Sequence, residues 1–356
     1  MPGSDVSLRW RRFRLMGPGF TENAFKARLL TVVLATMLLC ARPVSAAFDP
    51  GKVLMRLHGQ DQAVERVGFR LATANADLCP EGADAGFSVQ TLEQYGPAYR
   101  SAATMLFHLG EYPGVLAVAP GSPAEAAGLG EGDQITGIDD RPAPEAPSPT
   151  GHGDFRRTAA VQQQLHRTLA APVLTLATLH DGVPARLTLH AAPACASLFQ
   201  VVPDTQLTGE ADGDYVQVSS EMASLAMSDD ELAGLLAHEL AHNVLGHRAR
   251  LDALHVDRGL MSVFGRNARL IRDTELQADR LAVYLLARAG YAPDRAMVFW
   301  TRVRRASPGS FLDTTHPSWT TRLKAIQAEV RRIGDAGVPP HEVPLPPDLI
   351  AALPGR

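Results

Sequence analysis

Residues 228–247 read SDDELAGLLAHELAHNVLGH, and this stretch predicts a buried helix that carries several ionisable side chains. Ser228 followed by Glu231 is a capping-box pattern, in which both side chains satisfy free backbone N–H groups at a helix start. The leucines that follow recur at helical spacing and form one apolar stripe, at positions 232, 235, 236, 240 and 245. Gly246 then ends or loosens the helix. The stretch therefore predicts a helix that packs into a protein core.

His238 and His242 lie four positions apart on this helix, so both imidazoles point to the same side. Glu239 lies beside them and could carry a proton. This is the H-E-x-x-H arrangement, in which one helix gives two ligands to a catalytic zinc ion and the glutamate acts as general base. The pattern predicts a zinc-dependent peptidase. The alternative is a helix with two exposed histidines and a surface glutamate, which the apolar stripe disfavours.

A third protein ligand is expected, because a catalytic zinc ion usually has three and keeps one position open. Glu275 and Asp279 lie four residues apart at the start of a second apolar helical pattern, so their carboxylates face the same way. We assign Glu275 as the third ligand of one zinc ion per chain. We expect Asp279 to accept the free N–H of a zinc-bound histidine. The alternative is two carboxylates on a solvated helix face.

These motifs, together with Thr315-His316-Pro317, resemble the zinc metallopeptidases typified by HtpX, BepA and the CAAX prenyl protease type 1, over roughly Tyr215 to Arg331. The resemblance implies that His238, His242 and Glu275 bind zinc and that Glu239 is the base. It also implies that His316 either stabilises the transition state or occupies the open zinc position in a closed form; a capping or core histidine is the alternative. By the same resemblance, the strand pattern Tyr215–Ser219 would be the edge strand that holds substrate.

The central part of the chain predicts a small β-rich module over residues 112–191. A strand pattern, a Pro-Gly turn, a short helix ending at Gly128 and a further strand follow one another from Pro113 to Ile138. This succession resembles a bacterial PDZ domain, which implies a groove for a C-terminal peptide. The carboxylate would bind near Tyr112–Val115, opposite a helix over 155–169. The alternative is a structural module with a blocked groove.

The N-terminal region predicts an export signal. Lys26 and Arg28 precede the apolar run Leu29–Cys40, and small residues follow at Val44–Ala47, which is the order of a cleavable secretory signal. We therefore expect a periplasmic protein, or alternatively one anchored through an uncleaved signal. Apart from such an anchor, we expect the protein to lie near the membrane without inserting into it. Two cysteines remain after cleavage, Cys79 and Cys195, and we expect them to form a disulfide; two free buried thiols are the alternative.

The sequence as a whole predicts an α+β protein, a mostly helical zincin-type peptidase domain with an inserted PDZ domain. Its expected parts are a signal peptide (1–47), an N-terminal part of the peptidase domain (48–111), the PDZ domain (112–191), the catalytic metallopeptidase domain (192–333) and a proline-rich, extended or disordered tail (334–356). A net charge of −4 without a basic block indicates no nucleic-acid partner.

The expected function is endopeptidase action on misfolded or membrane-associated envelope proteins, with polypeptide substrates and a C-terminal peptide as a further ligand of the PDZ groove. Two alternatives stay open at this point. One is a periplasmic chaperone or adaptor with minor proteolytic activity, and the other is a peptidase that trims only chain ends.

Overall fold

Helices form most of the regular structure. The computed structural model describes residues 48–148, 151–256, 265–306 and 317–355. In these ranges the helices are α1 (Pro50–Ala74), α2 (Pro97–Phe107), α3 (Pro123–Ala126), α4 (Arg156–Thr168), α5 (Ser220–Ser224), α6 (Asp229–Val244), α7 (His247–Ala253), α8 (Gly265–Arg288), α9 (Asp294–Ala306), α10 (Trp319–Asp335) and α11 (Pro347–Ile350).

The strands form separate sheets, so the structure is of the mixed helix-and-sheet class that the sequence predicts. They are β1 (Ala83–Asp84), β2 (Phe87–Gln90), β3 (Gly114–Val118), β4 (Gln134–Ile138), β5 (Arg141–Pro142), β6 (Val173–His180), β7 (Val183–His190), β8 (Ala192–Pro193), β9 (Leu198–Val202), β10 (Gly209–Ala211) and β11 (Tyr215–Ser219). The larger sheet has the order β2-β3-β4-β6-β7, with β5 paired to β4. A smaller sheet has the order β10-β11-β9, and β1 pairs with β8.

The larger hydrophobic core surrounds α6. Leu235, Leu236 and Leu240 are fully buried there, together with apolar residues of α1, α8, α9 and α10. The apolar stripe predicted from the leucine spacing therefore faces this core. Burial continues around the helix to its polar side chains, since His238 and Glu239 are also buried. The metal-binding motif consequently lies inside the helical body.

A second hydrophobic core lies between the larger sheet and α4. Its sheet begins earlier in the chain than residue 112, the boundary predicted from sequence. β2 pairs antiparallel with β3, Phe87 opposite Val118, although α2 and two loops separate the two strands. The strand pattern of β2 is only four residues long, which is too short to be assigned to a distant sheet from periodicity alone.

The disulfide partners lie at the point where the chain leaves and re-enters the helical body. Cys79 follows α1, Cys195 precedes β9, and the structure joins them through a disulfide with their Cα atoms 5.3 Å apart. The 116-residue separation encloses β2, α2 and the whole second core. The disulfide therefore links the segment that leaves the helical body to the segment that returns to it.

The C-terminal tail packs against the helical body, and the prediction of an extended or disordered segment is wrong for residues 334–355. Val343, Leu349 and Leu353 are all at most 5% exposed and belong to the larger core. Asp348 forms an ion pair with Arg280 of α8. The prolines that suggested disorder instead start short helical turns at Pro340 and Pro347, a position where a missing N–H does no harm.

The predicted signal segment 1–47 lies outside the described residues. Among the helices that the structure does describe, none combines the length and the apolar composition that a bilayer crossing requires.

Candidate metal centre

The start of α6 determines how the metal-binding motif enters the core. Ser228 caps the helix by accepting from the N–H of Glu231. Glu231 reaches one residue further back than the predicted capping box, and its carboxylate accepts from the N–H of Met227 at 2.8 Å. Arg302 of α9 forms an ion pair with Glu231, which lowers the pKa of the Glu231 carboxyl. The helix start is thus fixed to α9, and the motif follows two turns later.

His238, His242 and Glu275 come together, as the sequence predicts. Nε2 of His238 lies 3.3 Å from Nε2 of His242. The Glu275 carboxylate lies 3.4 Å from Nε2 of His238 and 3.5 Å from Nε2 of His242. These three residues form the group in the described ranges whose ligand atoms could hold one metal ion. α6 and α8 pack side by side, so each helix brings its ligands to the same point.

The donor atoms of these three residues lie close enough together for a zinc ion. Three donors on a tetrahedron with bonds of about 2.1 Å are about 3.4 Å apart, and two nitrogens with one carboxylate oxygen are a usual catalytic donor set. The two nitrogens are 3.3 Å apart, Oε2 of Glu275 lies 3.4 Å from Nε2 of His238, and Oε1 lies 3.5 Å from Nε2 of His242, all close to this value. The residues therefore suit zinc, and a zinc ion held by three protein ligands would keep a position open for water or substrate.

Asp279 contacts the first histidine, as predicted. Its Oδ1 lies 3.0 Å from Nδ1 of His238, opposite the face that points to the ligand cluster. Burial disfavours a charged ring, but the hydrogen bonds to Asp279 and Glu275 outweigh it and raise the pKa of His238 to about 9. Such a partner fixes the tautomer of a ligand histidine and keeps Nε2 directed at the metal.

Arg322 of α10 is a site residue that the sequence analysis missed. It binds both oxygens of Asp279, at 2.6 and 2.7 Å, and its guanidinium stacks on the rings of Trp300 and Trp319. Burial would raise the pKa of Asp279, yet Arg322 overrides this and lowers it to about 2. Asp279 therefore stays ionised beside His238. Arg322 lies four residues before the buried Ile326, and a charged residue on an apolar helix face is the signal that could have pointed to it.

His247 is a second missed residue, and it contacts the other ligand histidine. Its Nδ1 lies 2.9 Å from Nδ1 of His242. Burial lowers the pKa of His247 to about 2 and the pKa of His242 to about 4, so both rings are neutral. Gly246 adopts φ of 59° between them and breaks the helix. Because this turn redirects the chain, helical periodicity could not have placed His247 near His242.

Glu239 lies between the ligands and the free edge of the smaller sheet. A Cβ built on Gly209 of β10 would be 2.4 Å from Oε1 of Glu239, so the strand backbone passes directly over this carboxylate. Burial raises the pKa of Glu239 to about 7. A carboxyl with a pKa near neutrality can both take and return a proton, which suits the predicted general base.

The predicted edge strand Tyr215–Ser219 is instead the central strand of its sheet. It pairs antiparallel with β10 on one side and parallel with β9 on the other. Within the part of the chain that the structure describes, β10 pairs with β11 alone, so it is an edge strand, and it lies next to Glu239. Its three residues, Gly209–Ala211, include a glycine and carry too weak a strand pattern to be recognised from sequence. The prediction that Tyr215–Ser219 is the edge strand is therefore wrong.

His316 lies outside the described residues, as does Thr315. The structure begins again at Pro317, just before α10. The role assigned to His316 by resemblance thus stays a prediction.

Comparison with known proteins identifies relatives of this part of the chain. Residues 202–265 and 259–330 match Peptidase family M48. The comparisons support an M48 metallopeptidase. The mitochondrial metalloendopeptidase OMA1 of Schizosaccharomyces pombe is 31% identical, over 34% of this chain and 44% of its own length. A candidate beta-barrel assembly-enhancing protease of Vibrio cholerae serotype O1 is 27% identical, over 36% of this chain and 33% of its own length.

The chain therefore spans less than half the length of each of these two relatives. The matched residues contain the gathered ligands on α6 and α8 and Arg322 on α10. They begin after the larger sheet, so the match concerns the helical body and its metal-binding group. The family expected from the sequence motifs is supported at the level of M48 metallopeptidases.

Proposed function

We propose that this protein is a zinc-dependent endopeptidase that cuts misfolded or membrane-associated proteins in a bacterial envelope. The observation that carries the proposal is the convergence of His238, His242 and Glu275, whose ligand atoms could hold one metal ion. The M48 match supports the peptidase class. The envelope substrates are suggested by the sequence resemblance, and by the two relatives, which are named as a mitochondrial metalloendopeptidase and a candidate β-barrel assembly-enhancing protease.

Each polar side chain at the centre has a task in peptide hydrolysis. When bound, zinc would act as a Lewis acid that polarises the scissile carbonyl and makes water acidic enough to attack it near neutral pH. Glu239 takes the proton of the attacking water and returns it to the leaving amine. Asp279, held by Arg322, keeps His238 in one tautomer. The buried, largely apolar surroundings strengthen these interactions by excluding bulk water.

The substrate backbone is proposed to extend the smaller sheet along β10. Ser219 donates to the carbonyl of Thr208, and Asp212 donates to the carbonyl of Tyr215, so residues 208, 210 and 212 bond to β11. The backbone groups of Gly209 and Ala211 consequently point to the free side. A polypeptide added there would lie next to Glu239. This arrangement accepts an internal segment of a chain, which favours endopeptidase action over trimming of chain ends.

The larger sheet with α4 is proposed to be a PDZ-like module that selects substrates or regulates cleavage. The predicted ligand strand near Tyr112–Val115 leads into β3, which is paired on both sides, so the edge strand beside α4 is β2. A small cleft of about 50 Å³ lies between β2 and α4 and is also lined by Glu65 and Phe199 of the helical body. In this proposal an extended peptide would pair with β2 at this cleft.

The cleft is poorly suited to a terminal carboxylate. The loop before β2 offers the N–H of Gly86, but the carboxylate of Asp84 already accepts from it at 2.8 Å. Glu65, which lines the same cleft, adds a second acidic group. Peptides with a free C-terminus are therefore expected to bind no better than their amidated forms, as fluorescence anisotropy on matched pairs would measure. A strong preference for the free acid would contradict this assignment.

Export to an oxidising compartment is part of the proposal. Residues 1–47 have the composition of a secretory signal, and the disulfide between Cys79 and Cys195 is a bond that persists outside reducing cytosol. We place the protein in the periplasm, with an uncleaved signal as the alternative anchor.

Glu239→Gln is the decisive test. The variant should bind one zinc ion per chain and lose activity on casein by a factor of about 10² to 10⁴. Zinc is measured by elemental analysis and cleavage by mass spectrometry of the cut sites, with and without a chelator. Glu221→Gln, an exposed change on α5, is the matched control. Full activity in Glu239→Gln, or chelator-resistant cleavage, would refute the zinc mechanism. Little or no cleavage by the wild-type protein would favour the chaperone or adaptor.

A further inference from the structure

The second ligand histidine has a buried partner that the sequence motifs do not assign. His247 begins α7 and is 2% exposed. Its Nδ1 lies 2.9 Å from Nδ1 of His242, and its Nε2 lies 3.3 Å from Oε1 of Gln277. The ring thus connects the helix that carries both ligand histidines to α8, the helix that carries Glu275.

We propose that His247 is a positioning residue that fixes the ring of His242 for the metal ion. The inference rests on the proposed zinc site. A neutral imidazole that binds a metal through Nε2 carries its proton on Nδ1. His242 then donates this proton, and Nδ1 of His247 must accept it with its lone pair. His247 consequently carries its own proton on Nε2 and donates it to Gln277.

Gln277, at the far end of this series of hydrogen bonds, determines the direction in which each bond is donated. Arg250 donates to Oε1 of Gln277 at 2.7 Å, and an arginine side chain has no acceptor. Gln277 must therefore present its oxygen to both Arg250 and His247. The position of each proton is then fixed: His242 donates to His247, and His247 donates to Gln277. Reversal would place two N–H groups or two lone pairs against each other.

The backbone turn at Gly246 makes this contact available. Had α6 continued unbroken, the residue five positions after His242 would lie about 140° away around the helix axis. Gly246 adopts φ of 59°, a left-handed conformation that favours glycine, and turns the chain so that His247 returns to the ring of His242. The two ring centroids are 4.9 Å apart with nearly perpendicular planes.

The two ligand histidines are thus held by different partners. His238 is held by the anionic Asp279, whereas His242 is held by a neutral ring. The neutral acceptor adds no negative charge to a centre that already contains Glu275. Removing it leaves the Nδ1–H of His242 without its buried acceptor and lets the ring rotate away from the metal.

The test compares His247→Leu, which removes the acceptor, with His247→Asn, whose carbonyl can take the place of Nδ1. Zinc affinity is measured by competition with a chromophoric chelator on the purified full-length protein. Loss of such a partner typically weakens metal binding 10- to 100-fold, so we expect this loss in His247→Leu and an affinity within threefold of wild type in His247→Asn. His341→Leu, an exposed position, is the control.

Two further measurements keep the outcome decisive. Nitrogen-15 spectra of histidine-labelled, zinc-loaded protein should show His247 protonated at Nε2 and bare at Nδ1. If His247→Leu does not fold, Gln277→Met removes the far acceptor and should weaken zinc binding by a smaller factor. Equal zinc affinity in wild type and the substituted proteins, or a proton on Nδ1 of His247, overturns the inference while leaving the peptidase intact. A wild-type protein that binds no zinc overturns both.

Discussion

Gly209 has the tightest steric requirement of the residues around the proposed base. An added methyl group would be 2.4 Å from Oε1 of Glu239, about 1 Å closer than ordinary contact allows. Gly209→Ala should therefore displace either β10 or the carboxylate and lower kcat/KM for casein about 10- to 100-fold, since a 1 Å misplacement can have an effect of this size. The zinc content should stay at one per chain, because none of the three ligands moves.

The control for this prediction is Gly59→Ala on α1, where an added Cβ meets nothing within 4 Å. Its activity should equal that of wild type. A Gly209→Ala variant with unchanged kcat/KM would show that the strand does not constrain Glu239.

At the scale of single residues, the sequence identifies the ligands better than their partners. His238, His242 and Glu275 follow from one helical period and one family motif, and the structure brings them together. Arg322 and His247 act through contacts that depend on where α10 and the Gly246 turn place them. Such contacts are tertiary, so the spacing of residues within one segment does not predict them.

At the scale of elements, the edge position of β10 predicts which backbone amides of a substrate form hydrogen bonds with it. Only alternate residues of a strand direct their backbone groups to a given edge, so a bound substrate should depend on alternate amides. N-methylation of substrate amides one at a time should lower kcat/KM about fivefold at every second position and leave the positions between nearly unchanged, since one hydrogen bond contributes about 1 kcal/mol.

A synthetic peptide series around one mapped cut site measures this pattern. Uniform losses along the whole series would indicate steric exclusion instead of strand pairing. No losses at all would place the substrate away from β10.

The C-terminal helix α11 should contribute to stability, contrary to the prediction of a disordered tail. Leu349 is fully buried in the larger core, while its neighbour Ile350 is 38% exposed. Leu349→Ala should lower the free energy of unfolding by about 2–5 kcal/mol, the usual range for a buried leucine, and Ile350→Ala by less than about 1 kcal/mol. Urea unfolding of the two variants decides the matter, and equal effects would mean that α11 is not packed in solution.

At the scale of the whole molecule, the sequence predicts the classes of element but not how distant ones pair. The helices predicted from residue 228 and over 155–169 agree closely with α6 and α4, because their patterns are long and regular. The pairing of β2 with β3 could not be foreseen, because β2 is only four residues long and α2 and two loops separate the strands. For the same reason the boundary at residue 112 does not coincide with the start of the sheet.

The junction between the two cores contains acidic groups that carry the last prediction. Glu65 of α1 is 8% exposed and faces Asp84 of β1, with Asp61 one turn away. Burial first, and then the charge of Asp84, raises the pKa of Glu65 well above its ordinary value. Burial likewise raises the pKa of Asp61 to about 7 and raises that of Asp84. Ser88 and His58 partly offset these shifts.

A carboxyl whose pKa is raised by folding binds protons more tightly in the folded state. Its contribution to stability is complete below the unfolded pKa, near 4.5 for Glu65, and is lost as the pH rises through the folded value. Glu65→Gln removes this dependence. The variant should therefore gain stability over wild type as the pH rises from 5 to 8, by about 1–3 kcal/mol at the upper end, which is the penalty for a poorly satisfied buried charge.

Urea unfolding in the presence of a chelator, at pH 5, 6.5 and 8, measures the gain without interference from bound metal. Glu81→Gln, an exposed change in the same region, should show no such trend. Because Glu65 lies on α1 and Asp84 on β1, a pH-dependent gain specific to Glu65→Gln would mean that the junction between the cores loosens as its carboxylates ionise. A constant difference across the three pH values would mean that Glu65 is ionised, and compensated, throughout.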